Sequence, residues 1–185
     1  MSAKLITPPA EMAVPLADVR MDLREPDAAL NGQITAMIKA FTEEAEHTTG
    51  RAFVNQTWQL YLDAFPDAIR LDPAPLASVT SIKYYDTSNV LQTIDPADYL
   101  VDTITEPGYV VPGVAKAWPE TYDRINAVIV EYVVGYGADS TAVPEAIRMY
   151  IRAKVVEQFD VAPTPGKPHT SSYMDSLLDK YVVYG

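Results

Sequence analysis

Apolar positions change their spacing twice along the chain, and the changes outline the fold. Residues 1–13 contain Pro8-Pro9 and no apolar period, which predicts a loose N-terminal arm. Leu16, Val19 and Leu23 then recur at helical spacing behind Pro15, a residue suited to a first helical turn, until Glu25-Pro26 ends the run. Asp27 can cap a second, longer helix. Its stripe is Leu30, Ile34, Met37/Ile38, Phe41 and Ala45, its outer face carries Lys39, Glu43, Glu44 and Glu46, and Gly50 is placed to stop it. Two helices joined this closely predict a hairpin.

The period then shortens to two. Trp58, Leu60 and Leu62 alternate with Thr57, Gln59 and Tyr61, the pattern of a half-buried strand. Ala68–Leu71 reads as a short strand closed by Asp72-Pro73-Ala74-Pro75. Val79–Tyr85 and Val90–Ile94 flank Asp86-Thr87-Ser88-Asn89, a four-residue turn that predicts a hairpin. Tyr99–Val101 and Tyr109–Val111 can pair across Glu106-Pro107-Gly108. The strongest strand is Ala127–Val133, ended by Gly135-Tyr136-Gly137. Strands this closely spaced, without intervening helices, predict an antiparallel sheet or small barrel rather than β–α units.

Helical spacing returns at Pro144, with Ile147, Tyr150, Ile151, Val155, Val156 and Phe159 on one broad face. Pro163-Thr164-Pro165-Gly166-Lys167-Pro168 then predicts an extended linker. Beyond it, Ser171 or Ser172 can cap a short helix carrying Met174, Leu177, Leu178 and Tyr181, and the apolar ending Tyr181-Val182-Val183-Tyr184 follows. The fold class is therefore α+β, a small helical bundle with an antiparallel β module inserted into it. Its expected parts are an arm over 1–13, a helical core from 14–53 and 144–160, the β module over 54–143, and a linker with a C-terminal docking helix or tail over 161–185.

Composition narrows the function classes. There is no cysteine, so disulfides, thiolate metal sites and a cysteine nucleophile are excluded. The N-terminus lacks the apolar core of a secretory signal, and no run approaches the roughly 18 apolar residues of a membrane span. Lys and Arg number 14 against 25 Asp and Glu, and the net charge of −11 leaves no basic cluster to neutralise phosphates. Sequence-specific nucleic-acid binding is not expected, although an acidic wall can repel DNA and let it slide.

Candidate chemistry is sparse. His47 falls near the end of the long helix, where a side chain inclined to positive charge suits the helix dipole. His169 lies in the proline-rich linker near Ser171 and Ser172, without the rigid base and glycine elbow a hydrolase needs. Gly135-Tyr136-Gly137 lacks the third glycine of a dinucleotide motif, with Ser140 in its place, and reads as a turn. The loop acids Asp63, Asp67, Asp72, Asp95, Asp98 and Asp102 match no calcium loop and single out no acid–base pair. No catalytic residue, cofactor or metal is expected. Twelve tyrosines are the compositional oddity, fitting both strands and protein interfaces.

Three segments together carry a resemblance. Glu46-His47-Thr48-Thr49-Gly50-Arg51-Ala52-Phe53 resembles the E-x-x-T-G-R signature of head–tail connector proteins of long-tailed bacteriophages and related gene transfer particles. The strand from Asn126 into Gly135-Tyr136-Gly137, followed by Val143-Pro144-Glu145-Ala146-Ile147 opening a helix, matches the second half of that pattern. Val14–Leu23 is similar to the family's first short helix. The resemblance spans most of residues 14–160, and the chain departs from the shortest, nearly all-helical members through its β section.

The resemblance implies a non-enzymatic virion protein of the particle neck, assembled in the bacterial host cytoplasm. Its implied partners are the portal protein, a tail-side neck protein (stopper or tail terminator) and further copies of itself in a dodecameric ring around the DNA passage. Expected subunit or portal contacts are Arg51, Arg148, Arg152 and Lys154, with Tyr173, Leu177, Tyr181 and Tyr184 of the tail. Two other readings stay open at this point: an enzyme or carbohydrate-handling module using the acidic β section, and an assembly chaperone absent from the finished particle.

Overall fold

The computed structural model describes residues 2–24, 27–159, 174 and 176–183. It is an α+β fold of three α-helices and eight strands in two antiparallel sheets. The chain divides into two compact units, Met1–Pro9 with Asn55–Tyr136, and Ala10–Val54 with Gly137–Gly185.

The first unit holds all the strands. Its larger sheet has the order β1 (Ser2–Thr7), β2 (Gln56–Leu62), β8 (Val128–Val134), β4 (Leu76–Tyr85), β5 (Leu91–Thr93). The smaller has the order β3 (Ile69–Leu71), β7 (Gly108–Pro112), β6 (Tyr99–Asp102). β8 is the axis of the larger sheet, paired over its whole length with β2 on one side and with β4 on the other. Its burial alternates strictly, with Val128, Val130, Tyr132 and Val134 inside. That is the period-two pattern of a sheet with one covered face. Leu60, Leu62, Leu76 and Ile82 join them, and Ile69, Leu71 and Val110 of the smaller sheet are buried too. Gly108 marks a close approach, since a Cβ there would lie 2.5 Å from Leu76 Cβ. The buried Tyr132 hydroxyl donates to the Asp72 carbonyl, which satisfies it away from water.

Both predicted hairpins form. Asp86 Oδ1 accepts from the Ser88 and Val90 amides at 2.9 and 3.0 Å and so holds the β4–β5 turn. Asp102 Oδ1 accepts from Ile104 and Thr105 at 2.8 and 3.1 Å, starting the turn from β6 to β7. These local bonds keep both carboxyls below the usual carboxylate range, Asp86 chiefly through Gln92 and Asp102 chiefly through Thr105.

The N-terminal residues correct an expectation. Ser2–Thr7 is not a loose arm but the edge strand β1, with register from Ser2↔Tyr61 to Thr7↔Thr57. Its backbone groups are satisfied by a strand 50 to 59 residues away, so no local period reveals it.

The second unit is helical: α1 (Leu16–Leu23), α2 (Asn31–Thr49) and α3 (Glu145–Phe159). Asp27 caps as expected, accepting from the Ala29 amide at 2.9 Å, but it caps a short 3₁₀ turn, Ala28–Leu30, that runs into α2. Ile34, Ile38, Ala45 and Thr49 are the buried stripe of α2; Val19 faces inward from α1, and Ile147, Tyr150, Ile151 and Val155 from α3. Phe41, expected in the core, is half-buried on the flank of that stripe.

Candidate functional site

The T-G-R signature forms a knot at the C-terminus of α2. Gly50 takes φ 67°, a left-handed conformation that glycine adopts without strain. Its amide and that of Arg51 both donate to the Glu46 carbonyl, at 2.9 and 3.2 Å. The Glu46 carboxylate then accepts from the Phe53 amide at 2.8 Å, so one glutamate ties the helix end to the chain leaving it. Thr49 Oγ1 donates back to the Ala45 carbonyl at 2.7 Å. The following residues, Ala52, Phe53 and Val54, are buried.

The second half of the signature meets the first. Val54 bridges to Gly137, where a Cβ would lie only 2.4 Å from Ala142 Cβ. Asp139 Oδ1 accepts from the Thr141 amide and hydroxyl at 2.8 and 2.5 Å, shaping the loop that delivers Pro144 to the start of α3. The Pro144 carbonyl takes the Ile147 and Arg148 amides. Two motifs some 90 residues apart thus join one packed junction.

Arg51 lies within that junction, only 8% exposed. Its Nε donates to the Tyr181 carbonyl at 2.5 Å. The Val183 amide donates to the Thr49 carbonyl at 2.9 Å, and the Val183 side chain lies beside Gly50. Leu178, not Leu177, is the buried residue of the segment, while Leu177 and Tyr181 are half-buried. The described part of the expected docking tail, 176–183, lies against the helical unit of its own chain. It includes a 3₁₀ turn, Asp179–Tyr181. The expected linker 163–168, the capping serines 171 and 172, His169, Tyr173 and Tyr184 lie outside the described residues.

The basic face of α3 also turns to its own chain. Arg152 makes a two-pronged pair with Asp22 of α1, at 2.6 and 2.7 Å, and that bond strengthens its hold on its proton. Arg148 pairs with Glu145 one turn earlier, and its Nε is buried without an acceptor. The Lys154 ammonium lies 5.3 Å from the centre of the Tyr150 ring, and the Tyr150 hydroxyl donates to Glu44 at 3.3 Å. Six of the eight residues read from the sequence lie among the described residues, Arg51, Arg148, Arg152, Lys154, Leu177 and Tyr181. Arg51 and Tyr181 meet at the α2 junction, Arg152 ties α3 to α1, and Arg148 and Lys154 engage Glu145 and Tyr150 of α3 itself.

The described residues offer little chemistry elsewhere. They contain no cluster of three His, Asp or Glu able to hold a metal ion. Their lowered carboxyls, Asp86, Asp102 and Asp139, are exposed turn-formers whose hydrogen bonds explain the shift. In the β unit Trp118 stacks on Phe65 at 4.8 Å with rings 10° from parallel, Tyr84 meets Phe65 edge-on, and Arg124 covers Tyr85. No described helix is long and apolar enough to cross a membrane.

The chain is similar to chains of solved particles. A chain of the virion of a native gene transfer agent particle superposes with a TM-score of 0.81 at 18% identity, covering 100% of this chain and 97% of that one. A chain from the neck of an empty particle, computed with C6 symmetry, gives 0.80 at 18% identity with the same coverage. The chain has the fold of a particle-neck protein. A chain from the neck of the native particle, computed with C12 symmetry, gives 0.74 at 22% identity, again over 100% of this chain and 97% of that one. The sequence matches no family model and no curated protein. The likeness runs through both units, including the β section by which the chain departs from the shortest connectors.

What sequence reasoning missed are the strand β1 and a set of exposed aliphatic residues in the β unit. Ile104 is 92% and Val114 86% exposed. Their signal was available only as apolar residues standing in turns, where polar ones are usual.

Proposed function

We propose that this chain is the head–tail adaptor of a tailed particle, a non-catalytic component whose copies form a ring in the neck. The observation that carries the reading is the end-to-end fold likeness to gene transfer agent neck and virion chains. The sixfold and twelvefold symmetries under which the neck structures were computed support a closed ring, which requires a head-to-tail contact between unlike surfaces. In that ring the portal would lie on one side and a stopper or tail terminator on the other. The net charge of −11 suits a passage along which DNA slides without adhering.

Removing the gene tests this directly. Filled heads without tails should accumulate, and mass spectrometry of wild-type particles should find the chain at ring stoichiometry. Normal tailed particles from the deletion strain would refute the adaptor role. Absence of the chain from finished particles would instead favour an assembly chaperone.

A further inference from the structure

The two sheets of the β unit end on four strands, β1 and β5, β3 and β6, and of these β1 and β6 carry exposed aliphatic side chains beside opposite charge. β1 is the terminal strand of the larger sheet, and every one of its six residues is exposed, Leu5 and Ile6 included. β6 is the terminal strand of the smaller sheet, joined to the far strand β5 of the larger by residues 94–98. Four strand intervals separate β1 from β5, a span of roughly 19 Å at the usual spacing. Exposed aliphatic side chains collect on and around β6. Leu100 and Val101 are exposed on the strand itself, Ile104 stands in the turn after it, and Val114 lies beside its start, where the Gly113 amide bonds to the Asp98 carbonyl. An open edge carrying such side chains is a template for another strand.

Charge selects among the possible pairings. Asp102 is in β6 itself and Asp95 and Asp98 just precede the strand, Asp98 pairing with Lys116 at 3.1 Å. β1 carries Lys4 and no acid. Two β6 edges would oppose acid to acid, and two β1 edges would oppose lysine to lysine. Only the unlike pairing places Lys4 among carboxylates, and it sets Leu5 and Ile6 against the aliphatic side chains of β6.

We infer that the β6 edge of one copy receives the β1 edge of the next, a sheet-to-sheet contact that propagates the ring. This rests on the ring reading given above. The absence of cysteine gives a clean test. Cysteines are introduced pairwise in full-length protein, L5C or I6C with L100C or V101C, so that both faces of each strand are sampled. Particles carrying each pair are purified and oxidised. At least one pair should give a ladder of disulfide-linked multimers rising to the whole ring. A ring present by electron microscopy with no ladder from any pair overturns the inference while leaving the adaptor role intact. Absence of any ring overturns both. A thiol-to-amine cross-linker that joins L100C to a portal or tail component, and not to a second copy, assigns the edge to that partner and overturns the proposal. Independently, the double variant L100D/I104D changes two exposed residues and should fold normally, yet enter particles about tenfold less or worse. Undiminished incorporation would also overturn it.

Discussion

In the helical unit, each of the three basic side chains of α3 meets a group of its own chain, and the signature arginine is buried against the backbone of the tail. In the β unit, aliphatic side chains stand in turns and on a terminal strand with their faces in water. The basic groups of α3 engage their own chain, whereas these aliphatic groups of the β unit face water. The difference teaches that residues forming a recognisable motif can be occupied in holding the fold. Under the proposed edge contact, the surface offered to a second copy lies in the part of the chain that the motif omits.

The largest effect should come from the helical junction. Phe53, fully buried just beyond Arg51, should cost about 3–5 kcal/mol when replaced by alanine. Phe41→Ala should cost about 1–2 kcal/mol, because half-burial removes less apolar surface from water. Urea midpoints of the two variants check the order, and equal losses would mean that the stripe of α2 is wider than the structure indicates.

A smaller effect sharpens the same contrast. Arg51→Met keeps most of the buried stem but removes the charge-assisted bond to the Tyr181 carbonyl, a loss of about 1.5–3 kcal/mol. The tail should loosen before the unit unfolds. Hydrogen exchange at the Val183 amide, bonded to Thr49, should therefore quicken while the amides of β8 keep their protection. Unchanged exchange at Val183 would show that the arginine does not hold the tail.

The smallest effect is one of pH and falls in the β unit. Asp86 and Asp102 have folded pKa values below the ordinary carboxylate value, so their contribution is complete above that value and is lost as pH falls through the folded one. Below about pH 4 the β4–β5 and β6–β7 turns should loosen slightly, seen as faster exchange at Ser88, Ile104 and Thr105. Asp102→Asn should move that change at Ile104 without touching Ser88. A shared response at both turns would imply a global transition instead.

Legibility in the sequence followed the distance between partners. The hairpin of β4 and β5 was readable because Asp86 bonds to residues two and four positions on. The ends of α2 were readable for the same reason, through Asp27 and Gly50. Strand β1 was not, because Ser2–Thr7 finds its partner only at Thr57–Tyr61. The apolar tail was legible as a segment needing cover. That its own α2 end supplies the cover depends on Arg51 meeting Tyr181 across 130 residues, which no local pattern encodes. Phe41 fits the helical period, but the period alone does not place the centre of the buried stripe.

The position of β8 also sets a timetable for the newborn chain. A ribosome releases β2 and β4 well before the strand that belongs between them, so each waits with an open flank until residues 128–134 emerge. The helical unit waits longer still, since α3 begins only at Glu145. Interleaved in this way, neither unit can be completed ahead of the other by more than a short stretch of synthesis. A product cut short before Val128 therefore contains no finished unit.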